Sequence, residues 1–149
     1  LPLMNDGICD NVVMVNVLEH IEDDREAIKQ LNRVLKKGGH LLLFVPAIQF
    51  LFSELDRRHG HYRRYDLPSL SVILLENGFH LNYQRYFDFA GVLPWFIINT
   101  IGKKTGFNPQ MVETYDRIVI PITKFFENLI RPPFGKNIIV VAEKITQIT

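Results

Sequence analysis

Two runs of consecutive apolar residues flank a single stretch of helical periodicity, and this arrangement constrains the chain more than any other feature. The first run, Asp10 to Leu18 (Asp-Asn-Val-Val-Met-Val-Asn-Val-Leu), is β-branched and bounded by polar residues. It reads as a strand covered on both faces. Asp23 is followed three residues later by Glu26, a capping-box pattern, and Ala27, Ile28, Leu31, Val34 and Leu35 then recur at helical spacing. Lys36, Lys37 and Gly38 are expected to close this helix, because cations suit its negative end and glycine adopts the left-handed terminating conformation. The second run, Leu41 to Val45, stops at Pro46. Strand, helix and strand together predict a right-handed crossover between two parallel strands, hence an α/β fold.

Further along, Asp66-Leu67-Pro68 opens a second helix, Leu70, Ile73 and Leu74 form its apolar stripe, and Asn77-Gly78 ends it. Phe79 to Phe87 and Asn137 to Glu143 read as two more strands, the second almost entirely aliphatic and therefore central. The segment of about fifty residues between them is too long for a structureless loop and is expected to be a helical insert over about 90–134. Val112, Tyr115, Val119, Ile122, Phe126 and Leu129 supply a helical stripe, with a kink expected at Pro121. Phe89 to Ile98 is apolar throughout but falls well short of the roughly 20 residues needed to span a bilayer.

The 149 residues, 47% hydrophobic, can bury the core of one ordinary domain. Seventeen Lys+Arg against 16 Asp+Glu leave a net charge of +1, which argues against a uniformly basic nucleic-acid surface and makes any recognition local. Cys9 is the single cysteine and reads as a small buried hydrophobe, so nothing demands an oxidising compartment and a cytoplasmic location is expected. The local exception in charge is Arg57, Arg58, His59, His61, Arg63 and Arg64, interleaved with Tyr62 and Tyr65. They lie in the connection leaving a strand's carboxyl end, where open α/β sheets bind ligands. Arginine forks suit carboxylate or phosphate, and a histidine can take a proton near neutral pH. A solvated loop pairing only with Asp56 and Asp66 is the equally weighted alternative, and contact with RNA is not expected. His59 and His61 have no further ligands at metal-binding spacing, and Glu19 with His20 is a neighbouring pair, so no metal is expected.

The order strand, helix, strand, helix, strand, helical insert, strand carries a resemblance. Its motifs are Val-Asn-Val-Leu-Glu-His-Ile (15 to 21), Leu-Lys-Lys-Gly-Gly-His-Leu-Leu-Leu-Phe-Val-Pro (35 to 46), Gly60-His61-Tyr62-Arg63-Arg64-Tyr65, Asn77-Gly78-Phe79 and Pro133-Phe134-Gly135-Lys136-Asn137. Together they resemble the carboxyl-terminal half of class I S-adenosylmethionine-dependent methyltransferases, with Lys37 where the family's turn usually has proline. The resemblance implies strands four to seven of a seven-stranded Rossmann-like sheet, with a helical insert before the last. It also implies an S-adenosylmethionine site lined by Val15, Asn16 and Val17, with Leu18 and His20 close behind. The valines and Leu18 could equally be sheet core, and His20 a turn cap. The family's glycine-rich turn and the acidic residue after its second strand have no counterpart. There is no Gly-x-Gly, and Gly102 to Gly106 fails as a phosphate loop because Ile97 stands where the first glycine is required. The chain opens Leu1-Pro2-Leu3, without Met and without a signal-peptide pattern, so residues 1–149 are expected to be a partial domain of a truncated or split methyltransferase.

The implied reaction is in-line transfer of a methyl group to an oxygen, nitrogen or carbon nucleophile. His61 or His59 would be the base, Arg63 and Arg64 the anchors for an anionic acceptor, and Tyr65 and Trp95 the neighbouring contacts. Trp95, Phe96, Ile97, Ile98, Ile101, Phe125, Phe126 and Ile130 suit a lid over a small-molecule or lipid-linked acceptor, or a membrane-peripheral patch; ordinary packing or a dimer contact suits them as well. The alternative function is a non-catalytic binding or assembly module. In either case the valine-rich edge Asp10–Leu18 is expected to attract a second copy or a complementing amino-terminal half.

Overall fold

The computed structural model describes residues 3–102, 109–129 and 131–145. Ile130, most of the Gly102–Gly106 segment, and the side chains of Val112 and Phe126 lie outside the described residues. Strands β1 (Cys9–Val15), β2 (Leu35–Pro46), β3 (Phe79–Phe87) and β4 (Asn137–Lys144) form one sheet in the order β1-β2-β4-β3. β1 and β2 are parallel, with Val12 opposite Leu41 and Met14 opposite Leu43, as the β-α-β pattern requires. The aliphatic strand β4 is interior and runs antiparallel to both β2 and β3.

Helix α1 (Asp24–Val34) begins where the sequence places it: the Asp23 carboxylate accepts the Glu26 N–H at 2.9 Å. It ends earlier than expected. Leu35 already has extended backbone (ψ 141) and enters β2, so Lys36, Lys37 and Gly38 belong to the strand. Gly38 turns the chain at φ +73, and at Gly39 a Cβ would lie 2.8 Å from the Asp10 carbonyl oxygen and 2.9 Å from that of Lys36. Gly38 therefore serves the left-handed turn and Gly39 the close backbone approach, both within the strand and not at the helix end.

Between β2 and β3, a short 3₁₀ turn (Gln49–Leu51) and helix α2 (Glu54–Arg58) precede helix α3 (Leu67–Glu76). Helix α3 has proline in its first turn and stops at Asn77, with Gly78 at φ +78. α1 and α3 cover one face of the sheet, where Ile28, Leu31, Leu70 and Leu74 meet Leu41, Leu43, Ile138 and Val140 in the core. The opposite face corrects the expected two-sided burial of the first strand: Val13 and Val15 are 63% and 54% exposed. β1 is an edge strand, and among the described residues nothing covers that side of it. It also ends at Val15; Asn16 adopts left-handed backbone (φ 51), and Leu18–His20 form a single 3₁₀ turn.

The insert contains helix α4 (Val92–Trp95), continuing as a wider turn through Phe96–Ile101. Helix α5 (Pro109–Thr114) runs through a second wide turn (Tyr115–Val119) into α6 (Ile120–Leu129). That wide turn immediately precedes Pro121, where the missing N–H and the ring disturb regular hydrogen bonding. No helix among the described residues is long and apolar enough to cross a membrane.

The connection after β2 is folded around the buried carboxylate of Asp56. Its Oδ2 accepts the Ser53 N–H (2.7 Å) and hydroxyl (2.8 Å), and its Oδ1 accepts Arg64 Nε (3.1 Å) and Nη2 (2.9 Å). Burial alone would raise this carboxyl's pKa, but the hydrogen bonds and charge of Arg64, with the Ser53 donors, outweigh it and hold the pKa below the ordinary value. The loop's ends are pinned to the sheet: Ile48 N–H donates to the Tyr65 carbonyl at 2.8 Å and Tyr65 N–H to the Pro46 carbonyl at 2.9 Å.

Two consequences are measurable by urea unfolding. Gly39→Ala is expected to cost about 2 kcal/mol or more, because the neighbouring groups are backbone that must move. Asp56→Asn leaves the Arg64 guanidinium buried without a counter-charge and is expected to cost about 3 kcal/mol or more. The native carboxyl titrates below the ordinary 3.8, so its contribution is complete above that pH and is lost as pH falls through the lower native value. The Asn variant should lose that part of the acid dependence.

Candidate active site

A cavity of about 250 Å³ opens at the carboxyl ends of β1 and β2, lined by Asn16, Glu19, Pro46, Asp56, His59, His61, Arg64, Trp95, Lys136 and Asn137. Asn16 and Glu19 follow β1, Pro46 ends β2, and residues 56–64 come from the Asp56-centred loop. Trp95 comes from α4, where its indole N–H donates to the Leu51 carbonyl at 3.1 Å. β4 is antiparallel to β2 and therefore begins at the cavity: Asn137 is opposite Pro46, and the Lys136 carbonyl accepts the Ala47 N–H at 2.7 Å.

The charged groups here are constrained to different degrees. Lys136 Nζ pairs with Asp88 at 2.8 Å, and the Arg64 guanidinium lies 4.6 Å from the Trp95 ring centre. His61 Nδ1 is 3.1 Å from Asp56 Oδ1. An ionised carboxylate can only accept, so Nδ1 carries the hydrogen and the Nε2 lone pair is left over. Burial lowers the His61 pKa, outweighing the opposing attraction of Asp56, and so favours the neutral ring. Glu19 is fully buried, and neither of its carboxylate oxygens has a hydrogen-bond partner. That burial raises its pKa, against the smaller opposing pull of its own backbone N–H, His20 and Arg64.

The backbone explains how these residues meet. The Tyr62 N–H donates to the Glu19 carbonyl at 2.8 Å, stitching the basic loop to the Leu18–His20 turn. The His20 and His61 rings consequently stand edge to face, 4.6 Å apart, with the His59 ring 6.2 Å from His61.

The residues singled out from the sequence divide into two groups. Asn16, His59, His61, Arg64 and Trp95 line the cavity. Val15 and Val17 are exposed at the end of β1, and His20 is exposed beside His61. Three others are corrected. Leu18 is fully buried in the hydrophobic core, because the 3₁₀ turn rotates it under the sheet end. Tyr65 is buried, its hydroxyl donating to Asp24 at 3.1 Å; burial first and Asp24 second raise its pKa. Arg63 ion-pairs with Asp24 at 2.8 Å and donates to the Glu22 carbonyl, so it braces the start of α1 and does not line the cavity. Of the alternative reading, a solvated loop pairing only with Asp56 and Asp66, the structure retains Asp56, buried with Arg64, while Arg63 pairs with Asp24 and Arg57 and Arg58 with Glu54.

Sequence reasoning missed Glu19, Asp56, Lys136 and Asn137 as cavity residues. For Asp56 a signal existed: Ser53 and Asp56 have capping-box spacing, and both reciprocal bonds are present. Glu19 has no comparable local signal, since the groups around it come from the loop after β2.

The family model described as methyltransferase domain matches residues 3–84. No curated protein matches the chain. Among solved structures, a candidate methyltransferase from Bacillus halodurans is 21% identical, with 97% of this chain and 73% of that one covered and a TM-score of 0.55. A candidate methyltransferase from Haloferax volcanii, solved in complex with a methyltransferase activator, is 12% identical, with 97% and 57% covered and a TM-score of 0.59. A SAM-dependent methyltransferase from Archaeoglobus fulgidus is 16% identical, with 95% and 62% covered and a TM-score of 0.55. The chain spans less than two thirds of the last two proteins. At these identities the likeness is one of fold, an α/β architecture with a mixed sheet, whereas the family match covers more than half of the sequence. The chain belongs to the methyltransferase-domain family.

Proposed function

We propose that the chain forms the carboxyl-terminal half of a class I methyltransferase sheet, corresponding to strands four to seven. Completed by strands flanking β1, it would transfer the methyl group of S-adenosylmethionine to a small-molecule or lipid-linked acceptor. The observation that carries this reading is the cavity at the carboxyl ends of β1 and β2, where an oriented neutral imidazole, a buried guanidinium and an indole converge. The uncovered valines of the β1 edge, and the 57% and 62% of the compared chains that this one spans, support the half-sheet. The same edge suits a second copy or a complementing segment as partner.

The residues present fit one side of the methyl donor. Val15 and Val17 expose apolar surface at the end of β1, Asn16 offers polar groups between them, and Glu19 places an unpartnered carboxylate at the cavity wall. S-adenosylmethionine supplies an already activated methyl group, so the work left to the protein is alignment and exclusion of water. Trp95 closes one wall of the cavity, Arg64 contributes positive charge for an anionic acceptor, and His59 at the rim takes the acceptor's proton. On the insert, Leu93, Ile97 and Ile101 form one exposed apolar stripe and Ile118, Ile122, Phe125 and Leu129 another. Such stripes suit a lipid-linked acceptor or the membrane surface that carries it.

Calorimetric titration of S-adenosylmethionine into this chain, and into a form extended upstream of Leu1, tests the proposal. The extended form should bind at least tenfold more tightly, and His59→Ala in it should lower kcat at least tenfold with little change in the cofactor's KM. Absence of binding by both forms would overturn methyl transfer. The second reading, a non-catalytic assembly module, draws on the same exposed β1 edge and would then be favoured by tight self-association.

A further inference from the structure

We propose that Glu19, His20 and His61 form a binding site for a divalent transition-metal ion, with open coordination positions on the side of the cavity. The three residues offer ligand atoms that all lie within 4.8 Å of one another. A tetrahedral ion with nitrogen and oxygen ligands at about 2.0–2.2 Å needs these atoms about 3.4 Å apart, so the widest separation must close by up to about 1.4 Å, a movement available to the exposed His20 side chain. The expectation that no metal binds rested on spacing along the chain. The fold replaces that spacing by bringing His61 from a different loop onto the Glu19–His20 turn.

Independent observations point to a ligand at this place. Glu19 is 0% exposed, lines the cavity and has no hydrogen-bond partner on either carboxylate oxygen, an uncompensated buried group of the kind that a bound cation satisfies. His61 has the outer-shell support typical of a metal ligand: Nδ1–H donates to the Asp56 carboxylate, fixing the ring and leaving Nε2 to bind. The nearby Arg64 guanidinium is paired with that same Asp56, so the Glu19 carboxyl is left open to a cation. Two imidazoles and one carboxylate suit zinc, manganese, cobalt or iron(II) better than magnesium or calcium. Three protein ligands also leave positions for an oxygen of an incoming hydroxyl, carboxylate or phosphate. His61 is thereby assigned to the ion, and His59 keeps the proton. The ion site stands on these side chains alone and does not depend on methyl transfer.

The test is calorimetric titration of Zn²⁺ and of Mn²⁺ into the chelator-treated chain, with the visible spectrum of the Co²⁺ form as a second readout. One ion per chain is expected for at least one of the metals. His20→Ala, Glu19→Gln and His61→Ala should each weaken it at least tenfold, and His80→Ala, on the exposed surface of β3, should not. His20 is exposed, so its substitution leaves the fold intact and decides the matter if either of the other variants fails to fold. Failure of the chain to bind either ion, or binding that His20→Ala leaves unchanged, would overturn the proposal. Methyl transfer without ion binding would overturn this site alone; ion binding without S-adenosylmethionine binding would overturn only the proposed function.

Discussion

The Asp56 carboxylate organises the functional end of the molecule. A buried anion is tolerated only when donors surround it, and here Ser53, His61 and Arg64 supply them from both sides of α2. Through those bonds one side chain sets the turn that begins α2, fixes the tautomer and orientation of His61, and keeps Arg64 charged inside the protein. Arg64 in turn lies against Trp95, so the position of α4 over the cavity depends on the same charge pair. The pair contributes specificity of arrangement more than net stability, because both charges had to leave water.

The sheet contributes by its direction. β1 and β2 are parallel and end together, placing the Asn16–His20 turn beside Pro46. β4 runs the other way, so its beginning delivers Lys136 and Asn137 to the same place. β3 ends at the same end, with Phe87 opposite Asn137, so the long insert leaves and re-enters the sheet beside the cavity, and Trp95 from its first helix becomes part of the wall. The cost of the arrangement is an exposed edge at β1, whose outward valines are apolar surface suited to more protein.

Much of the scaffold was legible in the sequence because its signals are local. The Asp23 cap, the α1 and α3 stripes, the proline at the start of α3 and the aliphatic run of β4 all read out within a few residues, and all are present. Where local signals overlap, the expectation slipped: Lys36 to Gly39 carries the marks of a helix terminus, yet the backbone contact with Asp10 draws these residues into β2. The burial of β1 was misjudged because a run of valines reports the preference for cover and not whether cover is present. In the basic loop, residue type indicated charge but not partner. Arg63 and Tyr65 were therefore assigned to a ligand although both are committed to Asp24.

The sequence alone determined the α/β class, the parallel first pair of strands, the interior position of β4 and the family to which the chain belongs, because periodicity, caps and ordered motifs act over short distances. Only the tertiary structure decided which polar residues share an environment. Glu19 and His61 are far apart along the chain, and a single backbone hydrogen bond from Tyr62 to Glu19 makes them neighbours. Burial then removes the water that would have satisfied the Glu19 carboxylate and lowers the proton affinity of His61. The chemistry of the site is set by desolvation and proximity, which are properties of the folded chain.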